Sequence, residues 1–362
     1  MKSRLIGITL IIMIGSIFLS SCMGAIGAVS WPGLSLDQDT ETLYVSNSTG
    51  VFAIRMQDGN MLKRFPVEPD NKRLFFAPPA VIGDLVVVGD YAGTLSGLDY
   101  RLESQGSDAL ESWNFSDGNG RMIASALGID ELILVPSGNH NLYALDLQGN
   151  QQWVFDESEE GLWAQPVSDG EYVYQASMDH NLYAVKVSNG SKEWSIDVGG
   201  AVVYSPLLDE DGVLYVVTLA DELIAIQTLN QRELWRAETT EEVWGTPVLK
   251  DGILFVGDLS GTIYAFEAAT GYLEWKVDAG GAVAGSGGIT PEGLVFATEE
   301  GDVMLVSFDG VKQWTRNVEG KIYGAPAVGT DLVVVALTGG ENLLVAFDFN
   351  GNQEWIFTPS DK

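Results

Sequence analysis

The fold is decided by a stretch of twelve residues, LYALDLQGNQQW, at positions 142–153. Its first half alternates in hydrophobicity, which is typical of a half-buried β-strand, because side chains of a strand point to its two faces in turn. The Asp-x-x-Gly sequence that follows predicts a tight hairpin turn. The stretch therefore predicts a β-hairpin that carries Trp153 on its returning strand.

The same pattern recurs along the chain. Good copies begin at Leu182, Leu223 and Ile263, and weaker copies end at Trp314 and Trp355. The repeated tryptophans are separated by 40, 41, 41, 40, 39 and 41 residues. They are Trp113, Trp153, Trp194, Trp235, Trp275, Trp314 and Trp355. A period of about 40 residues with four strand-like runs per unit is typical of β-propeller blades, in which these indoles would pack one blade against the next.

Counting the hairpins between the second and third strands gives eight blades, with seven as the alternative. We therefore predict an all-β, eight-bladed β-propeller over residues 29–362, with four antiparallel strands per blade. The first strand of most units begins with a proline, which lacks an N–H donor and suits a strand start or an unpaired edge. The sequence leaves open how the ring closes. The segment before Trp31 and the strand around Trp355 are the candidate partners for strand exchange.

The first residues resemble a targeting segment. Lys2 and Arg4 precede an apolar run from Leu5 to Leu19 that is short for a membrane span. The sequence that follows, LSSC at 19–22, resembles a bacterial lipobox, which implies cleavage before Cys22 and acylation of that residue. We thus expect a lipoprotein signal peptide at 1–21 and a lipidated tether at 22–28. An uncleaved anchor or a plain signal peptide is the alternative.

Charge and cysteine content exclude several classes of function. The chain has 19 basic and 50 acidic residues, a formal net charge of −31. Without Lys2 and Arg4, 17 basic residues remain against 50 acidic ones, a net charge of −33. Such a surface repels nucleic acid and anionic lipid headgroups, so we expect no nucleic-acid partner. The charge either serves solubility or attracts cations or a basic partner. Cys22 is the only cysteine, so no disulfide forms within the chain.

One set of positions is the candidate binding site. It lies three residues before the proline position of each unit, where the inner strands would line the mouth of the central channel. Its members are Val29, Phe76, Ile123, Trp163, Val203, Trp244, Ala284 and Tyr323. Aromatic residues at a concave mouth suit contact with a peptide or a small molecule. The alternative is that Phe76, Trp163, Trp244 and Tyr323 plug the ring or pack between blades.

Other polar residues favour structural roles. His140 and His180 occupy equivalent turn positions where other units have glycine, which predicts a positive φ rather than a metal pair. The acidic runs lack the spacing of a calcium loop, so solvated loops are favoured over loose cation binding. They are 156–160, 209–211, 241–242 and 299–302. Gly-x-Ser-x-Gly, P-loop and dinucleotide motifs are missing from the sequence. We therefore predict no catalytic residue, no metal site and no cofactor.

The LYALD…G…W unit resembles the repeat of quinoprotein-like (PQQ-like) β-propellers over about residues 29–358. A single ring of eight units behind a lipobox is similar to the BamB family of lipoproteins. That resemblance implies a lipid-anchored envelope scaffold whose partners are envelope proteins, among them the machinery that assembles outer-membrane β-barrels. It would face the periplasm on the outer membrane of a diderm, or lie on the outer face of the cytoplasmic membrane of a monoderm.

Two further functions stay open at this point. One is a propeller that binds or senses a ligand or polymer at the channel mouth. The other is a quinoprotein dehydrogenase, for which the resemblance implies a quinone, a calcium-type ion, an aspartate base and often a vicinal disulfide. A chain with Cys22 alone cannot form that disulfide, and no motif fixes the aspartate or the calcium ligands.

Overall fold

A computed structural model describes residues 32–66, 68, 70–100, 109–116 and 120–359. These residues form eight four-stranded antiparallel sheets arranged as the blades of a propeller, which confirms the prediction of eight blades over seven. The predicted signal peptide, the tether and Cys22 lie outside the described residues. Within the described ranges, the chain has no helix with the length and apolar character that crossing a bilayer requires.

Each blade is made of four strands that are consecutive in sequence. Blade 1 contains β1 (Gly33–Asp37), β2 (Thr42–Asn47), β3 (Gly50–Arg55) and β4 (Met61–Phe65). Blade 2 contains β5 (Ala80–Ile82), β6 (Leu85–Gly89), β7 (Thr94–Asp99) and β8 (Leu110–Ser116). Blade 3 contains β9 (Leu127–Ile129), β10 (Leu132–Pro136), β11 (Leu142–Asp146) and β12 (Gln151–Phe155). Blade 4 contains β13 (Val167–Ser168), β14 (Tyr172–Ala176), β15 (Asn181–Lys186) and β16 (Lys192–Asp197).

The second half of the ring repeats this order. Blade 5 contains β17 (Leu207–Leu208), β18 (Val213–Thr218), β19 (Glu222–Gln227) and β20 (Arg232–Glu238). Blade 6 contains β21 (Val248–Lys250), β22 (Ile253–Gly257), β23 (Thr262–Glu267) and β24 (Leu273–Asp278). Blade 7 contains β25 (Gly288–Ile289), β26 (Leu294–Ala297), β27 (Asp302–Val306) and β28 (Lys312–Asn317). Blade 8 contains β29 (Ala327–Val328), β30 (Leu332–Ala336), β31 (Leu344–Asp348) and β32 (Gln353–Phe357).

The first strand of each blade is the innermost one. First strands of neighbouring blades contact each other, as β1 does with β5 and β29. Pro79, Pro166 and Pro247 each lie one residue before a first strand. The proline, which has no N–H donor, therefore lies at the start of the strand, as the sequence predicts. The second and third strands are almost fully buried, because each blade packs against a neighbour on both faces.

Each blade carries the same irregularity at its outer edge. The register shifts between the third and fourth strands directly after one third-strand residue, which indicates a β-bulge in every blade. This residue is small in most blades and lies opposite the repeated tryptophan. The pairs are Gly97–Trp113, Ala144–Trp153, Ala184–Trp194, Ala225–Trp235, Ala265–Trp275, Leu305–Trp314 and Ala346–Trp355. The small side chain leaves room for the indole.

The indole joins its own blade to the next one. Trp235 of blade 5 donates a 2.9 Å hydrogen bond from Nε1 to the carbonyl oxygen of Ala268 in blade 6. Its ring also lies flat against Gly271, where a methyl group would be only 2.5 Å from Cε3 of the indole. Gly271 has a φ of 72°, which suits glycine. One tryptophan thus combines apolar packing with a directional bond across the blade interface.

The same bond recurs around the ring at 2.8–3.0 Å. The further pairs are Trp113–Leu147, Trp153–Val187, Trp275–Phe308, Trp314–Phe349 and Trp355–Met56. In blade 5 the turn position of the packed glycine is occupied by Gln231, which also has a positive φ, of 54°. The interface between blades 4 and 5 therefore departs from the common pattern.

The described strands close the ring without exchanging a strand. Trp355 of blade 8 donates to the Met56 carbonyl of blade 1, and Gln38 of blade 1 donates a 3.1 Å bond to the Val328 carbonyl. The rings of Phe52 and Phe357 are 5.9 Å apart. β32 pairs only with β31 among the described strands. Side-chain packing between blades 8 and 1 therefore closes the ring.

Blade 1 lacks the tryptophan. Lys63 takes its place opposite Ala53 and is only 2% exposed. At this interface the Arg73 guanidinium binds the buried carboxylate of Asp90 at 2.8 Å and lies 5.3 Å from the centroids of Phe65 and Phe75. This interface therefore lacks the indole and contains a partly buried ion pair.

The first prediction concerns the indole itself. Trp235→Ala removes both the packing and the bond to Ala268, so we expect a loss of about 3 kcal/mol in the free energy of unfolding. Trp235→Phe keeps most of the packing and should cost about 1 kcal/mol for the lost hydrogen bond. Urea unfolding followed by circular dichroism measures both values. Equal, negligible losses would show that the indole does not join the blades.

The second prediction separates contact from backbone strain. Gly271→Ala and Gly252→Ala both place a Cβ at a positive φ, of 72° and 79°. Only the first would contact the indole, because nothing lies within 4 Å of a Cβ at Gly252. We expect Gly252→Ala to cost about 1 kcal/mol and Gly271→Ala about 1–3 kcal/mol more. Equal shifts in the melting temperature of the two variants would contradict the close-packing account.

Candidate docking face

One side of the ring carries both the hairpins between second and third strands and the segments that connect the fourth strand of one blade to the first strand of the next. Successive strands are antiparallel, so these two sets of connections necessarily share a side. We term this side the hairpin face and each connecting segment a lead-in. The candidate aromatic residues Phe76, Trp163, Trp244 and Tyr323 all lie in lead-ins.

Backbone hydrogen bonds hold each lead-in between two hairpins. Leu162 N donates to the carbonyl of Ser137 in blade 3 at 3.1 Å. Met178 N of blade 4 donates to the carbonyl of Gly161 at 3.2 Å. Equivalent bonds recur in other blades, such as those from Met122 N to the Asp90 carbonyl and from Val283 N to the Asp258 carbonyl. The backbone next to the candidate aromatic positions is therefore fixed by neighbouring blades.

The aromatic residues fall in alternate blades. They occupy blades 2, 4, 6 and 8, whereas the equivalent position is aliphatic in blades 3, 5 and 7. The aliphatic residues are Ile123, Val203 and Ala284, and Val29 lies outside the described residues. Large and small side chains alternate around small barrels because eight bulky groups would not fit a tapering interior.

Trp163 is the most exposed of the four, at 36%. No hydrogen bond or ring contact of its indole occurs within the described ranges. Its ring passes close to the backbone of Gly161, where a Cβ would be 2.8 Å from Nε1. The indole therefore lies on the surface beside its own lead-in.

Trp244 is half-buried and has a carboxylate partner. Its Nε1 donates a 2.8 Å hydrogen bond to Oε2 of Glu242, two residues earlier in the same lead-in. The ring of Tyr204 lies 6.3 Å from its centroid. The negative charge thus lies at the N–H edge of the indole.

Tyr323 belongs to a charged trio. Its hydroxyl donates a 2.9 Å bond to Oε1 of Glu299 in blade 7, and the Lys321 ammonium pairs with the same oxygen and lies 5.9 Å from the phenol centroid. The bond from Lys321, followed by that from Tyr323, lowers the pKa of the Glu299 carboxyl. Burial, followed by the bond to Glu299, raises the pKa of the Tyr323 phenol.

Phe76 contacts a second aromatic residue of the hairpin face. Its ring centroid lies 5.0 Å from that of Tyr91, which is 37% exposed. The guanidinium carbon of Arg121, in the next lead-in, lies 4.5 Å from the Tyr91 centroid. An aromatic ring is therefore capped by a cation here as well.

Glu242 and Glu299 belong to acidic runs for which the sequence favours solvated loops, whereas the structure pairs them with aromatic residues. Tyr91 and Lys321 were not predicted. Tyr91 and Glu299 both occupy the second position of their hairpins, directly after the buried polar residues Asp90 and Thr298. The available signal was a polar residue directly after the apolar run of the second strand. Glu242 and Lys321 lie two residues before the aromatic position, and that spacing also identifies them.

The histidines and acidic residues of the hairpins have structural contacts. His140 and His180 are exposed and have φ values of 76° and 72°, which confirms the turn prediction. The buried carboxylate of Asp258 accepts bonds from the Tyr264 hydroxyl at 2.8 Å and from the Thr262 N–H at 2.8 Å. Its oxygens thus stabilise the hairpin itself.

A quinone cofactor with a calcium ion needs several oxygen donors that converge on one point. In the part of the chain that the structure describes, no three Asp, Glu, His or Cys side chains converge in this way. Hairpin carboxylates are engaged by the protein itself, as Asp258 is by its own hairpin and Glu299 by Lys321 and Tyr323. The described donors do not fit this cofactor, and no reaction step follows from them.

Fold and hairpin face together define a PQQ-like eight-bladed β-propeller with aromatic residues around one end. A family model described as outer membrane protein assembly factor BamB matches residues 138–243, 225–298 and 261–361. These ranges cover more than half of the chain, so the chain belongs to this family.

Solved structures show the same fold at low identity. BamB from Moraxella catarrhalis is 16% identical with a TM-score of 0.67, and the match covers 84% of this chain and 97% of that one. The computationally designed Ika8 protein is 12% identical with a TM-score of 0.73, and the match covers 89% and 96%. No curated protein sequence matches the chain significantly.

The third prediction tests whether adjacent lead-ins share space at the mouth. A Cβ at Gly245 would lie 2.6 Å from the backbone nitrogen of Ser286, so the lead-ins of blades 6 and 7 touch. Ala284→Trp should therefore destabilise the fold by about 1–3 kcal/mol, and adding Trp244→Ala should recover part of this loss.

Calorimetric melting of the single and double variants measures the coupling between positions 244 and 284. Ile289→Trp is the matched control, because Ile289 lies in the same blade but is 38% exposed. Additive effects in the double variant would show that Trp244 and Ala284 do not face a common space.

Proposed function

We propose that this protein is a lipid-anchored scaffold of the cell envelope that binds protein partners through its hairpin face. The observation that carries the proposal is the set of aromatic side chains held in fixed lead-ins on one side of a rigid ring. Binding energy at protein interfaces is concentrated in such preorganised aromatic residues. Membership of the BamB family supports a role in the assembly of outer-membrane β-barrel proteins.

The proposal includes the absence of a catalytic centre. The carboxylates of Asp258 and Asp179 bind turn N–H groups and tyrosine hydroxyls of their own blades, which is a structural use. Trp163 and Trp244 present apolar surface rather than groups that transfer protons or electrons. A surface of this composition suits the binding of a protein partner better than catalysis.

Attachment through Cys22 is part of the same proposal. Multiple acyl chains on the N-terminal cysteine would give stable membrane attachment. In a bacterium with two membranes the propeller would face the periplasm from the outer membrane. In a bacterium with one membrane it would lie outside the cytoplasmic membrane and could not act in outer-membrane assembly.

The fourth prediction tests scaffolding directly. Affinity-tagged protein, purified from detergent-solubilised membranes of its own host, should retain envelope proteins, with β-barrel assembly components among them if the host has an outer membrane. The variant with both Trp163→Ala and Trp244→Ala should retain them at least about tenfold less, because two aromatic contacts are lost. Quantitative mass spectrometry of the eluates measures the change.

Tyr272→Ala is the matched control for the tryptophan variants. Tyr272 is 66% exposed but lies beside the turn between the third and fourth strands of blade 6, on the opposite side of the ring. Recovery of partners should be unchanged in this variant. Wild-type eluates without envelope proteins would contradict the scaffold.

Lipid attachment has its own test. Cys22→Ser should move the protein from the membrane to the soluble fraction.

A ligand- or polymer-binding propeller is the second candidate, and the 36% exposure of the Trp163 indole is the observation that favours it. Exposed indoles at a channel mouth can stack on the rings of a small ligand or polymer. A ligand at the mouth should change tryptophan fluorescence in the wild type and not in the Trp163→Ala plus Trp244→Ala variant. An unchanged response in that variant would place the ligand elsewhere.

A further inference from the structure

We propose that Trp163 and Trp244 each bind a lysine or arginine side chain of the partner protein, and this inference rests on the proposed scaffold function. The recognised group would be a cation held over an indole face, with a carboxylate beside it. The partner segment that docks on the hairpin face would therefore be basic.

The hairpin face already places a cation beside an aromatic ring twice within the chain, and in one case a carboxylate joins them. At blade 8 the Lys321 ammonium lies near the Tyr323 ring and pairs with Glu299. At blade 2 the Arg121 guanidinium lies 4.5 Å from the Tyr91 centroid. Both cations come from lead-ins, so the geometry of this face places cations over its aromatic rings.

The two tryptophans lack such a cation. Across the described ranges, no lysine or arginine lies over the ring of Trp163 or Trp244, although both are accessible. The Glu242 carboxylate binds Nε1 at the edge of the Trp244 ring, so the carboxylate itself does not cover a ring face. Glu159 and Glu160 are exposed in the same lead-in as Trp163. Blade 6 thus offers the ring and the carboxylate that blade 8 fills internally with Lys321, and blade 4 offers an exposed ring with acidic residues in the same lead-in.

The net charge of the chain also favours a basic segment as the partner. The whole chain has a formal net charge of −31. An acidic partner would be repelled, whereas a basic segment would be attracted before contact. An apolar segment would cover the indoles but would leave the Glu242 carboxylate desolvated beside it, which is costly. A cationic side chain satisfies both the ring and the carboxylate.

The test uses three synthetic peptides of one length, in which serine and glycine separate four copies of a single side chain. The first carries trimethyllysine, the second carries its neutral tert-butyl isostere, and the third carries glutamate. Titration calorimetry with the full-length acylated protein in detergent, at physiological salt, gives the three dissociation constants. The trimethyllysine peptide should bind about tenfold or more tightly than the neutral isostere, because only the cation attracts the ring.

Variants of the protein assign the effect to residues. Trp163→Ala and Trp244→Ala should each weaken trimethyllysine binding about fivefold and leave the weak binding of the isostere nearly unchanged. Glu242→Gln should weaken trimethyllysine binding in the same direction. Tyr272→Ala is the control that should leave all three constants unchanged.

Three results would overturn the inference. Equal binding of the charged and neutral peptides would indicate an apolar docking face. A dissociation constant for the trimethyllysine peptide that is the same in the wild type and in both tryptophan variants would indicate general attraction to an acidic protein. Envelope partners that are retained by the wild type and by both tryptophan variants would reject cation recognition and leave the scaffold function standing. A wild type that retains no partner rejects the scaffold function itself.

Discussion

The structure depends on a hydrogen-bonded indole at the interface between blades. A single four-stranded sheet with two apolar faces is not stable alone, so each blade needs a neighbour on either side. The bond from Trp235 to the Ala268 carbonyl and the close contact of the indole with Gly271 hold adjacent blades together. Because Trp355 makes the same contact with blade 1, one interaction also closes the ring.

Most of this architecture could be predicted from the sequence because one physical unit is repeated. The constant spacing of Trp153, Trp194 and Trp235 indicates that each blade has the same strands and carries a tryptophan at the same position of its fourth strand. The closing interface could not be predicted, because it depends on contacts between residues about 300 positions apart, such as Trp355 and Met56. Lys63 takes the position of the repeated tryptophan in blade 1, and the Arg73–Asp90 pair between blades 1 and 2 is a tertiary contact without a local pattern.

The hairpin face was only partly predictable for the same reason. The aromatic positions of the lead-ins follow from their spacing to the prolines, so Trp163 and Trp244 could be named in advance. Their surroundings come from different blades, and Glu299 meets Tyr323 only because the ring brings blade 7 beside blade 8. The sequence therefore identifies each aromatic residue separately, whereas its neighbours from other blades are set by the fold.

The central claim is that repeated indole N–H groups are bonded across the blade interfaces, and hydrogen exchange of these groups tests it directly. In ¹⁵N-tryptophan-labelled protein, assigned with single Trp→Phe variants, the indole N–H of Trp235 and its bonded equivalents should exchange at least about a hundredfold more slowly than that of exposed Trp163, since exchange requires opening of a blade interface. Similar rapid exchange at Trp163, Trp235 and Trp355 would contradict the account.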